Sequence, residues 1–236
     1  MANSGQGSDS AERARVLAAL PRLKIFPLPG AVLLPGATMP LHIFEPRYRK
    51  MTQDCADGDR VLALAHLAPG GTRPGTQPRV MPVIGVGVVS QVEPLPDGRF
   101  NILLKGVLRA RIREEHATAD PYRLVAADAL VDAESDAADA SIARSSEELR
   151  RLLLALCAAR NDDEMALLAQ LAARAADAGE LADLAAGALL ESPAERQAAL
   201  EAVSVVQRLE IAKQAAATQL ARVAPRTASS KGKLLN

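Results

Sequence analysis

"VIGVGVVSQVEPLPDGRFNILLKGVLRARIR", residues 83 to 113, sets β-branched and aliphatic residues in short runs on either side of a Pro-Asp-Gly turn. Runs of this kind around a turn cluster predict an antiparallel hairpin, with strands over 83–92 and 100–107 joined through LPDGRF at 95–100. LRARIR at 108–113 reads as a further strand. Working outward, LKIF at 23–26, TMPLHIF at 38–44, VLALAHL at 61–67 and YRLVAADALV at 122–131 show the same character, for about seven strands in all. FPLPG at 26–30 and LLPG at 33–36 are extended, turn-rich connections. Strands this closely spaced, with almost no helix between them, imply an antiparallel barrel-like sheet.

Near residue 135 the hydrophobic period changes. Ser145 with Glu148 and Asn161 with Glu164 have the spacing of helix starts, Gly179 suits a helix stop, and Ser204 with Gln207 opens a last helix. Ser192-Pro193-Ala194-Glu195 combines a cap, a first-turn proline and the reciprocal glutamate. Leu149, Leu152, Leu153 and Leu156 follow helical spacing, as do Met165, Leu168 and Leu171, and Val206, Leu209, Ala216, Leu220 and Val223. The expected fold class is therefore α+β, a β-barrel subdomain over 20–134 followed by a bundle of four or five helices over 145–223. Residues 1–19 and 224–236 read as flexible ends, and the acidic stretch 135–144 as a linker.

Composition narrows the function. The 28 basic and 28 acidic residues cancel, so the chain has no overall attraction for a phosphate backbone or an anionic membrane. Only Phe26, Phe44, Phe100, Tyr48 and Tyr122 carry aromatic rings, too few for a base-stacking platform. Cys55 and Cys157 lack metal-ligand spacing and read as reduced thiols, which fits a cytoplasmic protein. No leader pattern opens the sequence and no run approaches the roughly 18 apolar residues of a membrane span.

Chemistry-bearing motifs are scarce. No glycine-rich loop precedes a Lys-Ser/Thr pair, and GVG at 85–87 sits inside a strand, where glycine marks a bulge or a close approach. His42, His66 and His116 have no second ligand at metal-site spacing; there is no GxSxG elbow, and Cys157 lies on an apolar helix face. Lys105, Arg109, Arg111, Arg113 and Arg123 could form a basic strip on neighbouring strands, although alternating arginine is also what the solvent face of a strand looks like. PLHIFEPRYR at 40–49 gathers His42, Glu45, Arg47, Tyr48 and Arg49 as an active site would. Strand alternation up to Phe44, then Glu45 and Pro46 at a helix start, makes it a strand-to-helix joint instead. No catalytic, cofactor-binding or metal residue is assigned.

LPRLKIFPLPGAVLLPGATMPLHIFEPRYRKM at 20–51 resembles the opening of the Lon protease N-terminal, or LON substrate-binding, domain. The likeness continues through IGVGVVSQVEPLPDGRFNILLKGVLRARI at 84–112 and GELADLAAGALLESPAERQAALEAVSVVQRLEIAKQAAATQL at 179–220, and so spans about residues 20–223. It implies an antiparallel PUA-like β pseudo-barrel followed by an α-helical bundle. It also implies a non-enzymatic, free-standing protein-binding module, without AAA+ and peptidase modules and needing no cofactor. Its expected partners are unfolded or degron-bearing polypeptides, with a full-length protease as a further candidate; the substrate-binding residues stay unassigned. The rival expectation is an RNA-binding PUA-like protein using Lys105, Arg109, Arg111 and Arg113.

Overall fold

The computed structural model describes residues 4–70, 77–133 and 139–223. Six strands make up most of the first half: β1 (Leu23–Leu28), β2 (Thr38–Ile43), β3 (Val61–His66), β4 (Val83–Pro94), β5 (Phe100–His116) and β6 (Arg123–Ala129). Helix α1 (Ser4–Ala19) precedes them and α2 (Pro46–Asp57) lies between β2 and β3. Five helices follow, α3 (Asp139–Arg160), α4 (Asp163–Arg174), α5 (Ala178–Leu189), α6 (Pro193–Glu201) and α7 (Val205–Val223).

The sheet closes on itself, running β5–β4–β3–β1–β6 and back to β5. The expected strands at 100–107 and 108–113 are one 17-residue strand, because the chain passes the expected break through a bulge at Val107 in its pairing with β4 instead of turning. The barrel is also not purely antiparallel: β1 pairs parallel with β3, Ile25 opposite Ala63, since α2 carries the chain back in a crossover. One edge of β5 is shared. Its first half, Phe100 to Lys105, pairs with β2, and its second half, Ala110 to His116, pairs with β6. On β1 the β6 pairing covers Leu23 to Ile25 and stops there. The barrel is thus zipped by β6 at one end and splayed at the other, between β2 and the last residues of β1.

Glycines make a landing strip for the 29–37 loop. A Cβ on Gly85 would lie 1.9 Å from the Leu33 carbonyl oxygen, and one on Gly106 2.1 Å from that of Leu34. Leu33 enters the barrel core through this window, while Leu34 is buried against the bundle. β3 then divides its side chains between two cores: Val61, Ala63 and Ala65 pack with Val16 and Ala19 of α1, while Leu62 and Leu64 pack with Tyr48, Met51 and Cys55 of α2.

The chain start corrects the expectation of a flexible segment over 1–19. Residues 4–19 are helical, held by buried Val16 and Ala19 and by Lys105, whose ammonium contacts Asp9 and Glu12 at 2.9 Å. The linker expected over 135–144 is shorter, because α3 already begins at Asp139; residues 134–138 and the expected tail at 224–236 lie outside the described residues. Asp162, not Asn161, caps α4, accepting from the Met165 N–H at 2.9 Å. Gly179 lies in the first turn of α5, not at a stop. The capping box of Ser192 and Glu195 forms as expected.

Barrel and bundle meet through buried charge. Arg109 of β5 contacts Asp183 of α5 at 2.7 Å, and Asp183 is 3.2 Å from Nε of Arg208 on α7. Arg208 also grips Asp132, just beyond β6, through two bonds of 2.7 and 2.9 Å. A Cβ at position 179 would stand 2.6 Å from Arg208, so glycine there makes room for the guanidinium. Around this cluster Val32, Leu34 and Val83 pack against Ala186, Leu190, Ala199 and Leu200.

Candidate functional site

The splayed seam is an apolar cleft of about 200 Å³. Phe26 and Leu28 of β1 line it, facing Pro40, Leu41 and Ile43 of β2, with Phe44, Glu45 and Tyr48 at the joint to α2. PLHIFEPRYR therefore builds one wall of the site. Alternation along β2 sends Ile43 into the core and leaves His42 exposed. Glu45 then holds extended torsions as the N-cap and Pro46 starts α2, which ends strand geometry at Phe44. Phe44 falls at the break and stays 61 % exposed, an aromatic ring with no core to enter.

Tyr48, one turn into α2, is buried with its ring 4.3 Å from that of Phe26, and this pair forms the floor. Burial pushes its phenol up, so it stays neutral. The Arg47 guanidinium lies 4.5 Å over the same ring while contacting Glu45 at 2.8 Å.

The rim charges are largely matched to one another. Arg99 can only donate, so its 3.1 Å contact makes Nε2 of His42 an acceptor and leaves the ring proton on Nδ1, 2.8 Å from Asn101 Oδ1. Asn101 donates in turn to Glu93 at 2.9 Å, and Arg99 pairs with Asp97. Lys50 pairs with Asp54, which also accepts from the Tyr122 hydroxyl at 2.8 Å. The cleft thus presents hydrophobic surface beside a polar rim in which Arg47 answers Glu45 and Arg99 answers Asp97, while Glu93 is held by the uncharged Asn101.

The other candidates do not converge here. Arg109 is 4 % exposed and belongs to the buried ion cluster; Lys105 is bound by α1, Arg113 faces Asp128 at 3.2 Å, and Arg123 chelates Glu115 at 2.7 Å. Four of the five residues of the expected basic strip are therefore held in ion pairs, Arg109 beneath the bundle and Lys105 by α1, while Arg111 stays exposed with no ion pair among the described residues. His116 contacts the Pro21 carbonyl at 2.8 Å, and His66 lies part-buried at the end of β3. Burial drives the Cys55 thiol up to about 12, so it is inert at neutral pH. Among the described residues no three His, Cys, Asp or Glu side chains gather as a metal site would require. Sequence reasoning missed Phe44; the available signal was an aromatic residue directly before a Glu-Pro helix start.

A barrel left open along one seam and locked to a five-helix bundle by buried charge defines the class, an α+β domain of the LON type. The family described as the ATP-dependent protease La (LON) substrate-binding domain matches residues 22–214, and the chain belongs to that family. The Lon protease of Trichlorobacter lovleyi is 28 % identical over 189 residues, covering 79 % of this chain and 22 % of the relative. That of Roseiflexus castenholzii is 29 % identical over 193 residues, covering 79 % and 23 %. The chain thus spans about a fifth of the length of these relatives. Two solved structures share the fold. The N-terminal domain of Mycobacterium avium complex Lon protease superposes with a TM-score of 0.64 at 20 % identity, over 83 % of this chain and 98 % of that one. A Lon N-terminal domain protein from Xanthomonas campestris gives 0.56 at 21 %, over 80 % and 95 %. Helix α1 precedes the matched residues.

Proposed function

We propose that this chain is a non-enzymatic recognition module for polypeptides, holding unfolded or degron-bearing proteins by their apolar residues or presenting them, as a cytoplasmic adaptor, to a full-length protease. The observation that carries this reading is Phe44, 61 % exposed beside an apolar cleft where Arg47 already answers Glu45 and Arg99 answers Asp97. An exposed aromatic next to an apolar groove attracts apolar side chains and offers little to a phosphate backbone. The family's description as substrate-binding and the names of the relatives point the same way. No helix among the described residues is long and apolar enough to cross a membrane.

The test uses a permanently unfolded client, reduced and carboxymethylated α-lactalbumin, labelled for fluorescence anisotropy. The wild-type chain is expected to bind it, and Phe44→Asp to weaken binding at least about tenfold, the equivalent of one lost apolar anchor. Equal binding by both chains, or none by either, overturns the reading.

A further inference from the structure

We propose that the cleft takes its polypeptide as an added β-strand, hydrogen-bonded along the open edge of β2. This inference rests on the cleft being the polypeptide-binding surface. β2 pairs with β5 through Thr38 to Ile43, and no strand among the described residues lies on its other side. Two observations fix which backbone groups face that side. The Gly106 N–H donates to the Ala37 carbonyl at 2.8 Å, continuing the register in which Thr38 stands opposite Lys105. Bonded and non-bonded residues alternate in an antiparallel ladder, so Met39, Leu41 and Ile43 turn their backbone groups to β5, and Thr38, Pro40 and His42 turn theirs outward. Pro40 agrees independently, because a proline in an edge strand belongs where no ladder donor is needed.

The open edge therefore offers the N–H groups of Thr38 and His42 and the carbonyls of Thr38, Pro40 and His42. Across the cleft, β1 from Phe26 to Leu28 pairs with β3 on one side, and on its other side β6 has already stopped at Ile25. An incoming strand would extend the sheet from β2 into the cleft, bonding to β2 alone and leaving its far edge unbonded opposite β1. Its alternate side chains would enter the apolar space beside Phe26, Leu28 and Phe44. At about 200 Å³ that space falls below the roughly 300–1,000 Å³ of small-molecule sites and suits one or two side chains of a larger ligand. Charge complementarity favours the same occupant: Arg47 answers Glu45 and Arg99 answers Asp97, so these rim charges are already matched and offer little to a charged segment, whereas an uncharged strand needs no counter-ion there. Pro40 withholds one donor from the edge, which discourages indiscriminate pairing with other sheets.

The experiment uses the full chain and a fluorescein-labelled octapeptide alternating leucine and threonine. In an extended strand every leucine N–H points to one side and every threonine N–H to the other. Two further peptides carry N-methyl groups on all leucine or on all threonine nitrogens. Strand addition predicts that one methylated peptide loses at least about tenfold in affinity while the other stays within about threefold of the parent, since only one set of N–H groups is donated. If both methylated peptides stay within about threefold, or both fall equally, strand addition is wrong while the cleft reading stands, provided Phe44→Asp still abolishes binding of the parent. If the parent peptide and the unfolded client both fail to bind, the cleft reading itself falls, and strand addition with it.

Discussion

Arg109 and Asp183 meet 2.7 Å apart with both side chains 5 % exposed, one on the longest barrel strand and the other on a bundle helix. A charge taken that far out of water is tolerated only with its partner present. Removing the carboxylate leaves Asp132 alone to answer two guanidinium groups, those of Arg109 and Arg208. Asp183→Ala is therefore expected to cost about 3–5 kcal/mol in urea unfolding monitored by circular dichroism. A loss under about 1 kcal/mol would mean that water already reaches the cluster.

Asp132 and Asp183 respond to acid in opposite senses. Burial raises the Asp132 carboxyl, but the paired bonds from Arg208 outweigh it and the net direction is down. A carboxyl depressed in the folded state stabilises above its unfolded value, near 4, and that contribution is lost as pH falls through the folded value. Burial lifts Asp183 instead, so its contribution is present at low pH and declines as pH rises through its folded value. Asp132→Asn should flatten the fall in stability below about pH 4, as read from thermal midpoints across acid pH. An unchanged acid limb would place the sensitivity elsewhere.

Gly85 has no space for a side chain. With the Leu33 carbonyl 1.9 Å from the site of a Cβ, alanine must push the 29–37 loop off the sheet and draw Leu33 from the core. Gly85→Ala is expected to destabilise by at least about 3 kcal/mol, the upper range for overpacking, with a matching drop in Tm. Gly70, which has open space around it, serves as the control for a general glycine effect only with respect to contact, because its φ of 106° brings a strain of its own.

The two cysteines should separate cleanly on alkylation. Cys55 is fully enclosed, donates to the Val61 carbonyl, and has its thiol raised to about 12 by burial, whereas Cys157 is partly accessible on α3. Iodoacetamide at neutral pH should label Cys157 alone in the native protein and both after denaturation, as read by mass spectrometry. Early labelling of Cys55 would show that the α2 layer opens.

Local signals were legible where the local chain alone decides the outcome. The Pro-Asp-Gly turn gives the β4–β5 hairpin, with Gly98 at φ 77°, and Ser192 and Glu195 satisfy each other within one turn. Signals failed where a distant group intervened. Ser145 looks like a helix cap, yet it lies inside α3 and meets Lys213 of α7 at 3.0 Å. Arg109, Arg111 and Arg113 share a period that suggests one solvent face, but Arg109 is claimed by Asp183, 74 residues away. α1 escaped notice because Val16 and Ala19 are its main anchors in the barrel core and its first half, residues 4–10, is small and polar. The cleft was half legible: its β2–α2 wall is contiguous in PLHIFEPRYR, whereas Phe26 and Leu28 join it only through the barrel's pairing.

The division of the β5 edge between β2 and β6 also orders events in time. Leu23 of β1 finds its partner Val125 only after the intervening hundred or so residues have emerged, so the seal at β6 joins the two ends of the sheet subdomain. Hairpin β4–β5 and the neighbouring β2 can form from shorter loops well before then. A nascent chain halted before Arg123 would carry the seam open along its whole length, and the arrival of the last strand would set how much of it remains open in the mature protein.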